Sequence, residues 1–254
     1  MVIKEKCYIE PLQLDRMIHI YIPDNINSGE KLSVMYMFDG HNLFYDEDST
    51  FGKSWGLKNF LDKIDAKIMI VGIECNHQGN ERLSEFCPYT FNDKNLGYVE
   101  GKGKIFMEWI INSLKPYIDS KYPTIPDREN TGIGGSSMGG LMALYGIAMR
   151  SDIFSKGACL SVFYQHIYKY LLKDIFSVNL NNKTKVYISW GKGEFYTKKQ
   201  LAVGTEKNLR ISRIFTSMGI EVYPHLMVKG KHNEESWEKE IPIWLGELGL
   251  INNM

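Results

Sequence analysis

Short apolar runs alternate with longer amphipathic stretches along most of the chain. The run KIMIVGI, at 67–73, is almost entirely apolar, which is typical of a strand covered on both faces of a sheet. After it, Trp109, Ile110 and Leu114 recur at the spacing of a buried helix face. This alternation predicts an α/β fold, a doubly wound and mostly parallel sheet with helices on both faces.

The same pattern orders the remaining elements. The runs RMIHIYI (16–22) and KLSVMYMF (31–38) are predicted to be early strands that pair with each other antiparallel. The stretch 75–103 is the most irregular segment, and a loop of that length inside a compact domain is usually functional. No repeat or linker interrupts the order, so we expect one domain over 1–254. Later strands are predicted in TGIGG, GACLSV, KVYISW and EVYPHLMV, and later helices in MGGLMALYGIAMR, YQHIYKYLLKDIF, 198–218 and a final stretch from Trp237 to Leu248.

Charge and cysteine content narrow the class of protein. Thirty Lys and Arg residues balance thirty Asp and Glu residues, so we expect no nucleic-acid partner. The chain has no apolar run of about 18 residues, the length of a membrane span, so we expect no membrane partner either. The four cysteines are scattered and the chain begins without a signal-peptide pattern, which favours a cytoplasmic protein with reduced thiols. The pattern leaves the oligomeric state open.

The segment TGIGGSSMGGLMALYG joins a predicted strand to a predicted helix. Within it, Gly135-Ser136-Ser137-Met138-Gly139 fits G-x-S-x-G, in which a serine occupies a sharp turn and its neighbours two residues away lack side chains. The spacing selects Ser137 as a nucleophile, because Ser136 would need glycine where Met138 stands. A glycine-rich turn with no chemistry is the alternative. A phosphate-binding loop is excluded as a second alternative, because the GxxxxGK[ST] pattern is absent.

An attacking serine hydroxyl needs a base, and in this fold the order along the chain is serine, acid, histidine. His225 lies within a predicted strand, whereas His232 follows it in a polar loop and is the candidate base. Glu194 follows the predicted strand KVYISW and is the candidate acid that orients the histidine. The alternative is that Glu194 is a solvated loop carboxylate and that Ser137 and His232 act as a dyad.

Two backbone N–H groups are expected to face the negative charge that develops on the substrate oxygen. Met138, directly after the serine, is expected to supply one. Gly40 or His41, in the loop after the predicted strand 31–38, is expected to supply the other. A simple β-turn at Asp39-Gly40 would produce the same pair of residues without any catalytic role.

Aromatic residues are weaker candidates for the site. Trp55, Tyr89, Phe163 and Tyr164 fall near the loops expected around Ser137 and are candidate walls of a substrate pocket. The hydrophobic core would use the same residue types.

Two further pairs invite a functional interpretation. Arg82 and Glu85 could clamp a charged substrate, but we expect them to form a structural ion pair that holds the long loop. Cys75 and His77 are too sparse for zinc without a third ligand of clear spacing, so no metal is expected. No organic cofactor is expected, because a serine, a base and hydrogen-bond donors supply the chemistry themselves.

Taken together, five segments resemble the esterase branch of the α/β-hydrolases, the group that includes esterase D, feruloyl esterases and enterochelin esterase-like hydrolases. The resemblance implies that Ser137 is the nucleophile, His232 the base and Glu194 the residue at the acid position. It also implies main-chain oxyanion donors at Met138 and in the Gly40–His41 loop, although the family often has glutamine where this chain has His41. The segments are YMFDGHNLF, VGIECNHQGNERLSEFCPY, GGSSMGGLMALYG, ISWGKGE and GKHNEESW.

The sequence therefore predicts a serine hydrolase that cleaves small-molecule carboxylic esters through an acyl-enzyme. One alternative is the same chemistry on a different acyl bond, a thioester, a siderophore lactone or a peptide, because specificity depends on loop shape. The other is a catalytically inactive fold used as a binding module.

Overall fold

A large sheet forms the centre of the protein, seen here in a computed structural model that describes residues 1–251. Its strands run in the order β1-β2-β4-β3-β7-β8-β9-β10, and β5 pairs with β6 in a separate hairpin. In chain order the strands are β1 (Val2–Ile9), β2 (Leu14–Tyr21), β3 (Ser33–Phe38), β4 (Ile68–Ile73), β5 (Phe91–Asp93), β6 (Gly97–Val99), β7 (Thr131–Ser136), β8 (Lys156–Leu160), β9 (Lys185–Gly191) and β10 (Glu221–Met227).

Seven of the eight strands of the large sheet run in the same direction, and only β2 runs the other way, antiparallel to both of its neighbours, β1 and β4. The predicted pairing of 16–22 with 31–38 is wrong, because β4 lies between β2 and β3. Ile73 of β4 is opposite Ile18 on one side and Phe38 on the other. The sequence pattern also missed β1, a partly exposed edge strand whose Lys4, Glu5 and Lys6 hide its alternation.

Helices cover both faces of the sheet, as the α/β pattern predicts. Val34, Tyr36 and Phe38 of β3 pack into one apolar layer, and Met35 and Met37 pack into the other, because successive side chains of a strand point to opposite faces. The helices are α1 (Leu57–Lys63), α2 (Glu81–Glu85), α3 (Gly103–Trp109), α4 (Lys115–Lys121), α5 (Met138–Met149), α6 (Tyr168–Phe176), α7 (Lys198–Ser217), α8 (Glu234–Glu238) and α9 (Ile241–Glu247).

The helices differ from the predicted ones mainly at their ends. A π-helical turn, Ile110–Leu114, joins α3 and α4 into one continuous helix. The predicted final helix is two, since α8 ends before Glu240 and α9 begins with proline at its second position. The irregular stretch 75–103 contains α2 and the β5–β6 hairpin. Within residues 1–251, no helix combines the length and the apolar character needed to cross a membrane.

The parallel strands all end at the same edge of the sheet, and the loops that follow them meet there. After β3 the chain passes to β4 on one side, and it later returns to β7 on the other side of β3. A reversal of this kind opens a crevice at the carboxyl ends of the strands, where α/β proteins bind ligands.

Candidate active site

The turn between β7 and α5 holds Ser137 in a strained backbone conformation, with φ 58° and ψ −117°. A Cβ atom on Gly135 would lie 2.9 Å from the carbonyl carbon of Gly139, and one on Gly139 would lie 2.8 Å from Cβ of Phe38. Side chains at these two positions would therefore collide with their surroundings. The predicted strand, turn and helix are all present, with Ser137 at the turn.

Backbone hydrogen bonds from the loop after β8 hold this turn in place. The N–H of Ser137 donates to the carbonyl of Leu160 over 3.0 Å, and the N–H of Phe163 donates to the carbonyl of Ser137 over 3.1 Å. Gly140 packs against the same loop, since a Cβ there would lie 2.5 Å from the Leu160 carbonyl oxygen. The strain at Ser137 is thus maintained by contacts on both sides of the turn.

The structure brings together His232 and Glu194, which are 38 residues apart in the chain. His232 lies in the loop between β10 and α8, and its Nδ1 is 3.2 Å from Oε2 of Glu194. Because Nδ1 contacts Glu194, the second ring nitrogen, Nε2, is left for another partner. The edge of the His232 ring also meets Trp237, with 5.3 Å between ring centroids.

The Glu194 carboxylate is fixed by its own loop and by a neighbour. Its Oε1 accepts hydrogen bonds from the N–H of Gly191, at 2.5 Å, and from the hydroxyl of Ser161, at 2.7 Å. The indole N–H of Trp237 donates to that hydroxyl in turn, at 2.9 Å. These partners leave Oε2 to His232, so the carboxylate has a defined orientation.

The loops after β9 and β10 touch through backbone atoms. The N–H of Gly193 donates to the carbonyl of Gly230 over 2.8 Å, and a Cβ on Gly191 would lie 2.5 Å from the same carbonyl oxygen. Glycine at these positions sets the close spacing that brings Glu194 to His232. We call the loops after β7, β8, β9 and β10, with Ser137, Glu194 and His232, the serine side of the cleft.

The loops after β3 and β4 form the opposite wall. Asp39 adopts a left-handed conformation with φ 58°, and a short 3₁₀ turn follows at Gly40–Asn42. A Cβ on Gly40 would lie 2.4 Å from the carbonyl carbon of Gly72 in β4, so only glycine fits this contact. Within residues 1–251, the N–H groups of Gly40, His41 and Met138 have no hydrogen-bond acceptor, which leaves them available to a ligand.

An ion pair between a buried carboxylate and a partly exposed guanidinium stabilises this wall. Arg82 binds Asp39 through two hydrogen bonds of 2.7 Å each, a bidentate geometry. Burial alone would raise the pKa of the Asp39 carboxyl, but the charge and hydrogen bonds of Arg82 hold that pKa below its usual value. The expected pairing of Arg82 with Glu85 is wrong, because Glu85 instead accepts from Arg16 over 2.6 Å. We call the loops after β3 and β4, with Asp39, His41 and Arg82, the arginine side.

Two cavities open next to these residues. The larger, about 750 Å³, lies between the two sides and is lined by Ser137, His232, His41 and Arg82, among others. The smaller, about 510 Å³, lies within the serine side, and His232 borders both. The walls of the smaller cavity include Phe163, Tyr164, Trp190, Phe195, Tyr196 and Val203.

The four aromatic candidates divide between cavity and core. Phe163 and Tyr164 line the smaller cavity. Trp55 lines neither cavity and is buried against Trp237, with 5.8 Å between the ring centroids. Tyr89 also lines neither cavity, and its hydroxyl donates to Asp174 over 3.0 Å while its ring packs against Tyr145 of α5 and Tyr170 of α6.

Sequence reasoning missed several residues that border the cavities. Trp190 lies near the end of β9, the strand before Glu194, and Phe195 and Tyr196 come directly after Glu194. Their closeness in sequence to the candidate acid was the signal that could have identified them as cavity residues. The Asp39–Arg82 pair had no local signal, because 43 residues separate the two.

Sequence spacing also did not reveal a third potential metal ligand near Cys75 and His77, and the expectation of no metal stays a prediction. His41 approaches them from the loop after β3, and one ligand atom from each of the three residues lies within 4.8 Å of the others. Burial lowers the pKa of the His41 imidazole to about 4, so this ring is neutral at ordinary pH. The cluster lies on the arginine side and lines the larger cavity.

A strained serine after the central strand of a sheet with this strand order is the arrangement of the α/β-hydrolase fold. The protein therefore belongs to that class by its architecture. Within the class, the chain is a member of the family described as "Putative esterase", whose model matches residues 9–248.

Solved structures share this fold over nearly the whole chain. The BES protein from Bacillus cereus aligns with a TM-score of 0.75 and 20% identity, over 97% of this chain and 94% of that one. An IroE-like serine hydrolase from Shewanella oneidensis aligns with a TM-score of 0.74 and 18% identity, over 93% of this chain and 77% of that one.

Among curated proteins, the chain is similar to the uncharacterized protein YbbA of Bacillus subtilis. The two are 22% identical over 145 residues, which is 56% of this chain and 54% of YbbA. The match therefore spans about half the length of this relative.

Proposed function

We propose that Ser137, His232 and Glu194 form a catalytic triad that hydrolyses carboxylic esters through an acyl-enzyme. The contact between His232 Nδ1 and Glu194 Oε2, at the border of a cavity that Ser137 also lines, carries this proposal. It is the arrangement that a serine nucleophile needs, since the acid fixes the histidine tautomer and directs Nε2 away from itself.

In the first half of the reaction, Ser137 Oγ attacks the ester carbonyl carbon while His232 Nε2 accepts the hydroxyl proton. The tetrahedral intermediate collapses as His232 returns that proton to the leaving alcohol, which leaves the acyl group on Ser137. In the second half, His232 takes a proton from water, the water oxygen attacks the acyl carbon, and Ser137 is released with the carboxylic acid product. Glu194 stabilises the imidazolium that exists in both halves.

No hydrogen bond joins the side chains of Ser137 and His232 in the described residues. Such bonds are often long in the absence of substrate and tighten when the substrate binds. The N–H groups of Met138 and of Gly40 or His41 are the proposed oxyanion donors, because they have no acceptor of their own and lie on opposite sides of the cleft.

The two cavities suggest how a substrate is divided. The smaller cavity has aromatic and aliphatic walls, so we assign it the apolar part of the ester. The larger cavity is bordered by charged and polar side chains and suits the polar part. Because His232 borders both cavities, we assign the scissile bond to the space between them.

Hydrolysis of p-nitrophenyl acetate, butyrate and octanoate tests the proposal, with a chelator in every reaction. Wild-type protein should turn over all three, and Ser137→Ala should fall to the background rate, because surface groups alone hydrolyse activated esters slowly. Ser136→Ala is the matched control and should keep its activity, since that residue belongs to β7 and precedes the turn.

Labelling with a fluorophosphonate gives a second readout. Wild type and Ser136→Ala should be labelled and Ser137→Ala should not. If all three proteins hydrolyse the esters equally slowly and none is labelled, the triad assignment is wrong, and the fold serves for binding.

A further inference from the structure

Three side chains that bind transition metals converge on the arginine side of the cleft. His41 comes from the loop after β3, and Cys75 and His77 come from the loop after β4. Their ligand atoms lie within 4.8 Å of one another, and Cys75 Sγ is 3.9 Å from His77 Nδ1. In a tetrahedral zinc site, with bonds of about 2.0 Å to nitrogen and 2.3 Å to sulfur, the nitrogen–sulfur separation is about 3.5 Å. The Cys75–His77 distance exceeds this value by about 0.4 Å, and a distance at the 4.8 Å limit would have to shorten by about 1.3 Å for the three side chains to close around an ion.

Hydrogen bonds behind the cluster orient both imidazole rings. His77 Nε2 is 3.3 Å from Oε2 of Glu74, and Oε1 of that carboxylate is 2.7 Å from His19 Nε2. His41 Nε2 is 3.0 Å from the hydroxyl of Thr50. A metal-binding histidine typically uses one ring nitrogen for the ion and the other for a carboxylate or another outer partner. Both rings meet this condition.

One atom of the cluster is buried without a partner. His41 is 4% exposed, and its Nδ1 has no hydrogen bond within the described residues. An unpaired nitrogen in a buried position is costly, and a ligand that bonds to it would remove the cost. The rings of His41 and His77 also meet in a T-shaped contact, with 4.6 Å between their centroids.

The donor set selects the kind of ion. Two imidazoles and one thiolate suit Zn²⁺, whereas Mg²⁺ and Ca²⁺ require oxygen ligands.

We infer that His41, Cys75 and His77 bind one Zn²⁺ ion in the wall of the catalytic cleft, with Glu74 as the outer carboxylate of His77. Three protein ligands leave a fourth position for water or a substrate oxygen. The three residues line the cavity that also contains Ser137 and His232, so that position faces the space where the ester is proposed to bind. The three zinc ligands are side chains that lie outside the proposed triad.

Titration with Co²⁺ tests this site, because a cobalt–thiolate bond gives a charge-transfer absorption band and tetrahedral cobalt gives strong visible bands. Chelator-treated wild-type protein should show both with one equivalent of Co²⁺, and added Zn²⁺ should abolish them. Cys75→Ser should lose the charge-transfer band. Cys87→Ser is the matched control and should keep it, because the Cys87 thiol donates to the Tyr89 carbonyl and a serine hydroxyl can do the same.

Two further variants guard against a protein that fails to fold. His77 is half exposed, so His77→Ala should leave the core intact and still remove the visible bands. Glu74→Gln should weaken cobalt binding by about 10–100-fold, as expected for an outer ligand. Ser137→Ala should bind Co²⁺ normally, which separates this inference from the proposed triad. Absence of the charge-transfer band in folded wild type, or its survival in Cys75→Ser, would overturn the zinc site.

Discussion

The two sides of the cleft are held together by different forces. The serine side is assembled from backbone contacts, in which Gly135 meets Gly139 and Gly191 meets Gly230. The arginine side has one such contact, between Gly40 and Gly72, and depends in addition on charged side chains, above all the bidentate pair of Asp39 and Arg82. Contacts between glycines fix distances with little adjustment, whereas an ion pair depends on both partners and on pH. We therefore expect mutations on the serine side to affect mainly catalysis and mutations on the arginine side to affect mainly stability.

The largest expected effect is on the serine side. Glu194→Gln keeps the size of the side chain but removes the charge, so His232 loses its stabilising partner and can take the wrong tautomer. We expect kcat to fall by up to about 10⁴-fold with only a small change in the thermal midpoint. Steady-state kinetics and thermal unfolding on the same preparation check this. A kcat within tenfold of wild type would instead support a Ser137–His232 dyad.

On the arginine side, the main expected effect is on stability. Arg82→Gln leaves the Asp39 carboxylate buried without its counter-charge, which should cost about 3–5 kcal/mol in the free energy of unfolding. The double variant with Asp39→Asn should recover much of that loss, because no charge then remains buried. Urea unfolding of the four proteins of this cycle gives the coupling energy. Additive losses would show that the pair does not hold this wall.

The same pair predicts a dependence on acid. Because the pKa of Asp39 is held below its usual value of 3.8, the stabilisation is present above that value and is lost as the pH falls through the lower folded-state pKa. The double variant has no carboxylate at position 39 and therefore does not lose stability in this way. The free energies of unfolding of wild type and of the double variant should converge at strongly acidic pH.

A third prediction concerns Glu240, which lies beneath the serine side and forms no ion pair within residues 1–251. Burial raises its pKa from 4.5 to about 7, despite a hydrogen bond of 2.9 Å from the Tyr187 hydroxyl. A carboxyl whose folded-state pKa is raised stabilises the protein below the unfolded-state pKa, and the stabilisation is lost as the pH rises through the folded-state value.

Relative to Glu240→Gln, wild-type protein should therefore lose stability between pH 4.5 and about 7. The expected total is at most about 3 kcal/mol, since the pKa difference corresponds to about 1.4 kcal/mol for each pH unit. Urea unfolding at a series of pH values measures it. If the free energy of unfolding changes with pH in the same way in both proteins, Glu240 ionises as readily in the folded state as in the unfolded state.

The smallest expected effect compares the two cavities. Tyr196 is 97% exposed at the rim of the smaller cavity, and Phe51 is 78% exposed at the rim of the larger one. Tyr196→Ala should lower kcat/KM for octanoate relative to acetate esters by roughly tenfold or less, as for a lost apolar contact. Phe51→Ala should leave that ratio unchanged. An equal change in both variants would contradict the assignment of the apolar part of the ester to the smaller cavity.

The sequence predicted the serine side better than the arginine side, for a physical reason. The turn at Ser137 depends on residues two positions away, and the strand order places Glu194 and His232 in loops at the same edge of the sheet. Their roles in catalysis stay predictions. The pairing of Arg82 with Asp39 depends instead on how α2 packs, which no local pattern encodes.

The errors in the fold have a similar origin. Strand β1 was missed because Lys4 and Lys6 face solvent at the sheet edge, and Glu5, on the covered face, pairs with Lys121, so three consecutive charged residues interrupt the apolar alternation. The pairing of β2 with β4 rather than β3 depends on the crossover through α1, which the order of the strands in sequence does not reveal. His41 as a partner of Cys75 follows from that same adjacency of β3 and β4.

The hydrogen bond from the Gly191 N–H to Oε1 of Glu194 links the shape of the loop to the length of the side chain. One carboxylate oxygen closes the short turn that contains it, and the other reaches the histidine. Aspartate at this position is one methylene shorter and could satisfy only one of the two partners. A change from glutamate to aspartate would therefore have to be accompanied by a rebuilt turn, so the identity of the acid and the length of the loop can change only together.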